Sequence, residues 1–116
     1  MSRSASTSLL LLALSASLPS AAADSPQIER GREVYQHWCS ACHAAGDQGV
    51  PGTLALAAKY QGTSSPAALE QRRDLSLPVL RHFVRNGVSV MPFFRKTEIS
   101  DAELEAMAAY LAQSAR

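Results

Sequence analysis

The chain has 116 residues, with 11 Lys or Arg against 10 Asp or Glu, and only two cysteines. That length admits one small domain, the near-neutral balance excludes a nucleic-acid binder built on a basic domain, and two cysteines allow at most one thiol-based staple. Charge is uneven along the chain: two basic and four acidic residues in 24–58, seven and two in 59–96, one and four in 97–116. The middle third is therefore either a basic docking face or an ordinary solvated surface.

The N-terminus reads as an export signal, 1–23, outside the fold. Arg3 supplies the positive charge, Leu9 to Leu18 an apolar run, and Ala21-Ala22-Ala23 a small-residue cleavage site before Asp24. An uncleaved anchor is the alternative, but the run is about half of the roughly 20 residues that span a bilayer. Export implies a periplasmic domain over 24–116, with no membrane span after cleavage. A cysteine pair there is oxidised, metallated or otherwise capped. A domain of about 90 residues is marginal by apolar burial alone and commonly leans on a disulfide, metal or cofactor.

Ile28 to Tyr35 has helical spacing and runs directly into His37-Trp38-Cys39-Ser40-Ala41-Cys42-His43. Ala44 to Gly52, with its glycines and Pro51, reads as a loop. Thr53 to Tyr60 reads as a short helix stopped by Gly62, Thr63 to Pro66 as a turn, and Ala67 to Arg73 as one or two helical turns. Ser76-Leu77-Pro78 starts a helix with the stripe Val79, Leu80, Phe83 and Val84, and Asn86-Gly87 closes it. Val88 to Lys96 is a loop broken by Pro92. Ser100 to Glu103 is a capping box, followed by a terminal helix with Leu104, Met107, Ala108 and Leu111 on one face. No segment reads as a strand able to anchor a sheet.

The motif admits three chemistries. A thioredoxin-type dithiol needs its first cysteine at a helix N-terminus after a buried strand, and here a charged helix precedes it. A zinc site needs two spaced ligand pairs, and adjacent Cys42 and His43 do not make one. Cys-x-x-Cys-His as a haem attachment site uses every residue: Cys39 and Cys42 form thioethers, and His43 is the proximal iron ligand. One covalent haem c per chain would also supply the missing core. For the distal position the candidates are Met91, Met107, His37 and His82. Met107 lies on an apolar helix face, His82 on a solvated one, and His37 on the tether side. Met91, on an irregular loop stiffened by Pro92, is favoured; an open site is the alternative.

With those motifs in place, the chain resembles the short bacterial monohaem kind of class I c-type cytochrome. The likeness rests on Gly31 and Tyr35, CSACH, the Gly/Pro loop, Arg85-Asn86-Gly87, Met91-Pro92 and Tyr110-Leu111. It implies an all-α small cytochrome c fold whose first and last helices cross around the haem, with Gly31 meeting Tyr110. It also implies that the carbonyl of a loop proline, here Pro51, orients the haem histidine, although the order here is Val50-Pro51-Gly52 where the family has Gly-Pro. RNGVSVMPFF resembles cytochrome subunits or partners of periplasmic flavoprotein dehydrogenases such as p-cresol methylhydroxylase and eugenol hydroxylase.

The expected function is one-electron transfer, with no catalytic residue assigned. Electrons would come from a periplasmic dehydrogenase, flavoprotein or quinoprotein, and pass to a downstream cytochrome or oxidase. Leu54, Val79, Leu80, Phe83, Val84 and Phe93 would wall the haem pocket, with Trp38 packing near the haem edge. The rival is a haem with an open distal site, acting as a peroxidase or sensor.

Overall fold

Among the described residues, five α-helices and one 3-10 turn carry the fold. The computed structural model describes residues 25–46 and 50–116, so the expected export signal, its cleavage point and Asp24 lie outside the described residues. In chain order the helices are α1 (Pro26–Trp38), α2 (Ser40–His43), α3 (Pro51–Lys59), α4 (Leu77–Asn86) and α5 (Asp101–Ser114), with the 3-10 turn Leu69–Gln71 before α4. Among the described residues there is no strand, only an isolated bridge between Val88 and Met91. No described helix is long and apolar enough to cross a membrane.

Local chemistry accounts for the helix ends. The Ser25 hydroxyl accepts from the Ile28 amide at 3.3 Å, with Pro26 at the first helical position. The capping box at α5 closes in both directions: Ser100 Oγ accepts from the Glu103 amide at 3.2 Å, and Glu103 accepts from the Ser100 amide at 2.8 Å. Ile99 just before this cap and Leu104 in the first turn are both fully buried, the arrangement of a hydrophobic staple. At α4, Ser76 is extended but makes no side-chain capping bond, so Pro78 in the first turn carries the start. Gly87 ends that helix at φ +67°, and its amide donates to Phe83 O at 2.7 Å.

The core forms where α1 crosses α5. Val34, Tyr35, Leu80, Val84, Ile99, Leu104, Met107, Tyr110 and Leu111 are buried together. Gly31 makes the crossing possible: a Cβ there would lie 2.1 Å from the Ala106 carbonyl oxygen and 2.8 Å from Tyr110 Cβ. The Tyr35 and Tyr110 rings meet beside it with centroids 5.6 Å apart. The expected meeting of Gly31 and Tyr110 is present.

Three elements differ from the sequence reading. Pro51 and Gly52 belong to α3 and not to the preceding loop, because a proline without an amide hydrogen and with fixed φ starts a helix well. The motif itself is helical, with α2 following α1 after the single residue Cys39. Ala67 to Arg73 holds only the short 3-10 turn, flanked by extended Ala68 and Arg72. There Arg72 turns its guanidinium onto Asp74 and over the Tyr60 ring, 4.8 Å from its centroid.

Four of the seven cations in the basic middle segment are ion-paired. Arg72, Arg85, Arg95 and Lys96 are ion-paired with Asp74, Asp101, Glu98 and Asp101, and Arg73 donates to the Ala115 carbonyl at 3.0 Å. Sequence charge counts miss this because the pairing acids come partly from α5 and its approach. Among the described residues, Arg81 and Lys59 carry no ion pair. Exposed pairs of this kind contribute little stability individually.

One of these pairs has a positional role. Arg85, near the end of α4, donates to the Phe94 carbonyl at 3.1 Å and to Asp101 at 2.9 Å, while Lys96 reaches Asp101 at 2.6 Å. Asp101 therefore joins α4, the loop carrying Met91 and the start of α5. The two cations hold its carboxyl down, from its ordinary 3.8 to about 2.

Two outcomes follow. Replacing Gly31 with Ala should destabilise the fold by about 3 kcal/mol, measured by chemical denaturation, since overpacking outweighs the roughly 1 kcal/mol that Ala gains over Gly in a helix. A wild-type midpoint would contradict the close crossing. Because Asp101 has a lower pKa folded than unfolded, its stabilisation is complete above about pH 4 and lost as pH falls toward 2. The stability gap between wild type and Asp101→Asn should close over that window, and a gap independent of pH would remove Asp101 from the latch.

Candidate functional site

The two cysteines and His43 sit on the turn where α1 passes into α2. Helical bonds continue through it: the Cys39 amide donates to Tyr35 O at 2.9 Å, and the amides of Cys42 and His43 donate to Cys39 O at 3.0 and 2.9 Å. The crossing of α1 and α5 thereby fixes the motif. Cys39 faces α5, with Sγ 3.6 Å from Met107 Sδ, whereas Cys42 is exposed. No disulfide joins the two. Burial first, and then the neighbouring Cys42, push the Cys39 thiol up to about 11. A dithiol exchanger needs the opposite shift, so the environment argues against thioredoxin chemistry.

His43 is held on two sides. Its carbonyl accepts from the Tyr35 hydroxyl at 2.9 Å, which occupies one of the acceptors left over at a helix end. Its ring lies against Gly52 at the start of α3. A Cβ on Gly52 would fall 2.8 Å from His43 Cε1, 2.9 Å from Nδ1 and 2.5 Å from the Cys42 carbonyl oxygen. Thr53 adds a tie, its hydroxyl donating to the Ala44 carbonyl at 2.8 Å. His43 Nδ1 is buried without a hydrogen-bond partner, so the Pro51 carbonyl does not accept from it; Pro51 itself is exposed and the ring packs on the next residue. Burial lowers the His43 pKa and favours the neutral imidazole, the form that binds metal.

Met91 stands at the end of a tight turn. The Val88 amide donates to Met91 O at 3.1 Å, and the Met91 amide donates to Val88 O at 2.9 Å. Ser89 takes φ +53° to close it, a conformation uncommon for any residue but glycine. The turn is pinned to α4 twice. The Phe94 amide donates to Val84 O at 2.7 Å, and at Gly87 a Cβ would lie 2.6 Å from the Met91 carbonyl oxygen. Met91 is thus delivered by a backbone fixed on both sides.

The other distal candidates fall elsewhere. Met107 is buried in the core. His82 is exposed on α4, edge-on to Phe83. His37 is exposed at the end of α1, edge-on to Trp38. Trp38 packs edge-on against Phe94 with centroids 5.6 Å apart, joining α1 to the Met91 loop. Of the expected pocket walls, Leu80 and Val84 are buried in the α1–α5 core and Val79 is half-buried. Leu54, Phe83 and Phe93 are 56%, 38% and 61% exposed.

These features suit a tethered haem. Large apolar side chains left open on α3, α4 and the Met91 loop match a flat apolar macrocycle, and the motif offers an imidazole beside two cysteine attachment points. Among the described residues no group of three or more His, Cys, Asp or Glu side chains could hold a metal, which leaves the zinc reading without ligands. Sequence reasoning missed Gly52 against the imidazole and Tyr35 on the His43 carbonyl. Ile99 was also missed, though a hydrophobic residue just before a capping box signals it.

Comparison with known proteins agrees. Residues 26–111 match the family described as cytochrome C oxidase, cbb3-type, subunit III. The chain is 29% identical over 91 residues to cytochrome c6 of Cyanidium caldarium, covering 78% of this chain and 74% of that one. It is 34% identical over 85 residues to cytochrome c6 of Picosynechococcus sp., covering 73% and 71%. No solved structure matches. With a helical fold, a single Cys-x-x-Cys-His turn and this match across most of its length, the chain belongs to the c-type cytochrome family, and it is a haem c electron carrier with one covalent haem.

Proposed function

We propose that the protein is a periplasmic one-electron carrier in which Cys39 and Cys42 tether the haem and His43 and Met91 ligate its iron. The observation that carries this reading is the fixed His43, its carbonyl on Tyr35 and its ring on Gly52, one residue from Cys42. Bound haem supplies a one-electron iron couple. The chain supplies restraint: His43 is held by α1 and α3, and Met91 by a turn hydrogen-bonded to itself and to α4. Ligands that do not move between oxidation states keep the reorganisation on transfer small. Thioether ligation and an apolar surround both raise the potential.

The domain spans 24–116 after removal of an export signal over 1–23, and works in the periplasm. Its donor is a dehydrogenase, flavoprotein or quinoprotein, as the likeness of RNGVSVMPFF to the p-cresol methylhydroxylase cytochrome suggests. Its acceptor is a downstream cytochrome or oxidase. With most of the middle-segment cations paired, partner recognition rests less on a basic field than on the exposed apolar residues Val88 and Val90 of the turn that carries Met91.

Exchanging Met91 for Ala should change the visible spectrum and lower the midpoint potential, read by spectroelectrochemistry, with the haem still attached. An unchanged spectrum and potential would mean that another residue, or none, fills the sixth position. Serine at both Cys39 and Cys42 should abolish covalent haem.

A further inference from the structure

We propose that Glu70 is a positioning residue for the proximal histidine, acting through Tyr110 and Tyr35 to fix the His43 segment and to set the reduction equilibrium. The inference rests on the reading of His43 as an iron ligand. Glu70 lies on the 3-10 turn, an element with no other evident role in the site. Its carboxylate accepts from the Tyr110 hydroxyl, a bond that reaches across 40 residues of sequence. Tyr110 packs its ring on Tyr35, and Tyr35 donates to the His43 carbonyl. One connected path therefore runs from the 3-10 turn through α5 and α1 to the residue after Cys42.

Both tyrosines are buried, and a buried phenol without a partner carries a desolvation penalty. The two hydroxyls divide the work: Tyr110 has its acceptor in Glu70, and Tyr35 has its acceptor in His43. If Glu70 is removed, the Tyr110 hydroxyl must seek another acceptor. The Tyr35 ring beside it is then free to shift, and the His43 carbonyl with it. The carboxylate also acts through its charge. Where a haem iron is bound, a negative charge on the protein would favour its more positive, ferric state.

Arg32 lies over the Tyr110 ring, 5.8 Å from its centroid, and pairs with Glu29 on its own helix. Arg72, two residues from Glu70, is taken up by Asp74. Outer residues of this kind that orient a metal ligand typically alter affinity or activity tenfold to a hundredfold when lost. Glu70 is one step further out, so a smaller effect is expected.

The test uses the haem-loaded protein. Glu70→Gln keeps the shape and removes the charge; Tyr110→Phe keeps the ring and removes the bond. Glu70→Gln should shift the reduction equilibrium toward the ferrous state by about threefold, roughly 28 mV at about 59 mV per tenfold for one electron, and Tyr110→Phe, which leaves the charge in place, should move it by a smaller amount. The double variant should shift it by less than the sum, because both changes cut the same path. Hydrogen exchange at the amides of residues 42–44 should rise in all three. Potentials that stay at the wild-type value in both single variants, with only the melting temperature lowered, would make Glu70 a mere tether of its turn and overturn the proposal. His43→Ala is the control for the underlying reading. If it leaves the haem spectrum unchanged, His43 is not the ligand and the inference falls with it. If it alters the spectrum while Glu70→Gln leaves the potential unmoved, only the role of Glu70 is lost.

Discussion

The close approach of Gly31 to the Ala106 carbonyl is the constraint on which the rest of the molecule depends. With no side chain at residue 31, α1 and α5 pack at backbone distance, and the two tyrosines, Val34, Leu104, Met107 and Leu111 close around the crossing. Because α1 continues with one residue's interruption into α2, fixing α1 also fixes the Cys-x-x-Cys-His turn. Cys39 comes to rest on Met107 of α5, and the Tyr35 hydroxyl reaches His43. In a chain this short, the crossing serves at once as core and as mounting for the site.

The side proposed to be distal is built by a different device. No helix delivers Met91; a four-residue turn does, closed by reciprocal backbone bonds between Val88 and Met91 and held to α4 at Val84 and Gly87. Arg85 and Lys96 converge on Asp101 to hold the remainder of the loop against α5. The proximal side is thus held by packing and the distal side by hydrogen bonds and charge. They should respond differently to conditions: packing tolerates acid, whereas the latch weakens as Asp101 is protonated.

Much of this was legible in the residues. The capping box at Ser100, the proline in the first turn of α4 and the closing Gly87 each signal a boundary through backbone chemistry, and the boundaries fall there. The attachment motif and the Gly31 crossing were likewise readable, the first from spacing and the second through family likeness. What escaped is long-range. Nothing near Glu70 announces Tyr110, nothing near Arg85 announces Asp101, and nothing near Gly52 announces the imidazole of His43. Those contacts exist only once the chain has folded back on itself. The same blindness left the middle segment open between a basic docking face and a solvated surface, since counting charge along the chain ignores acids that arrive from another element. Pro51 misled in a related way: a proline beside glycine reads as loop, yet at the first helical position it is a starter.

The central claim is that one haem is covalently held by Cys39 and Cys42 next to His43. Mass spectrometry of the protein matured in its native host, followed by proteolysis, tests it most directly. The account predicts a mature chain beginning at Asp24 and carrying the mass of one haem, with that mass retained after denaturation on the peptide that spans Cys39 to His43. A haem-free chain, or a haem lost on denaturation, would contradict it.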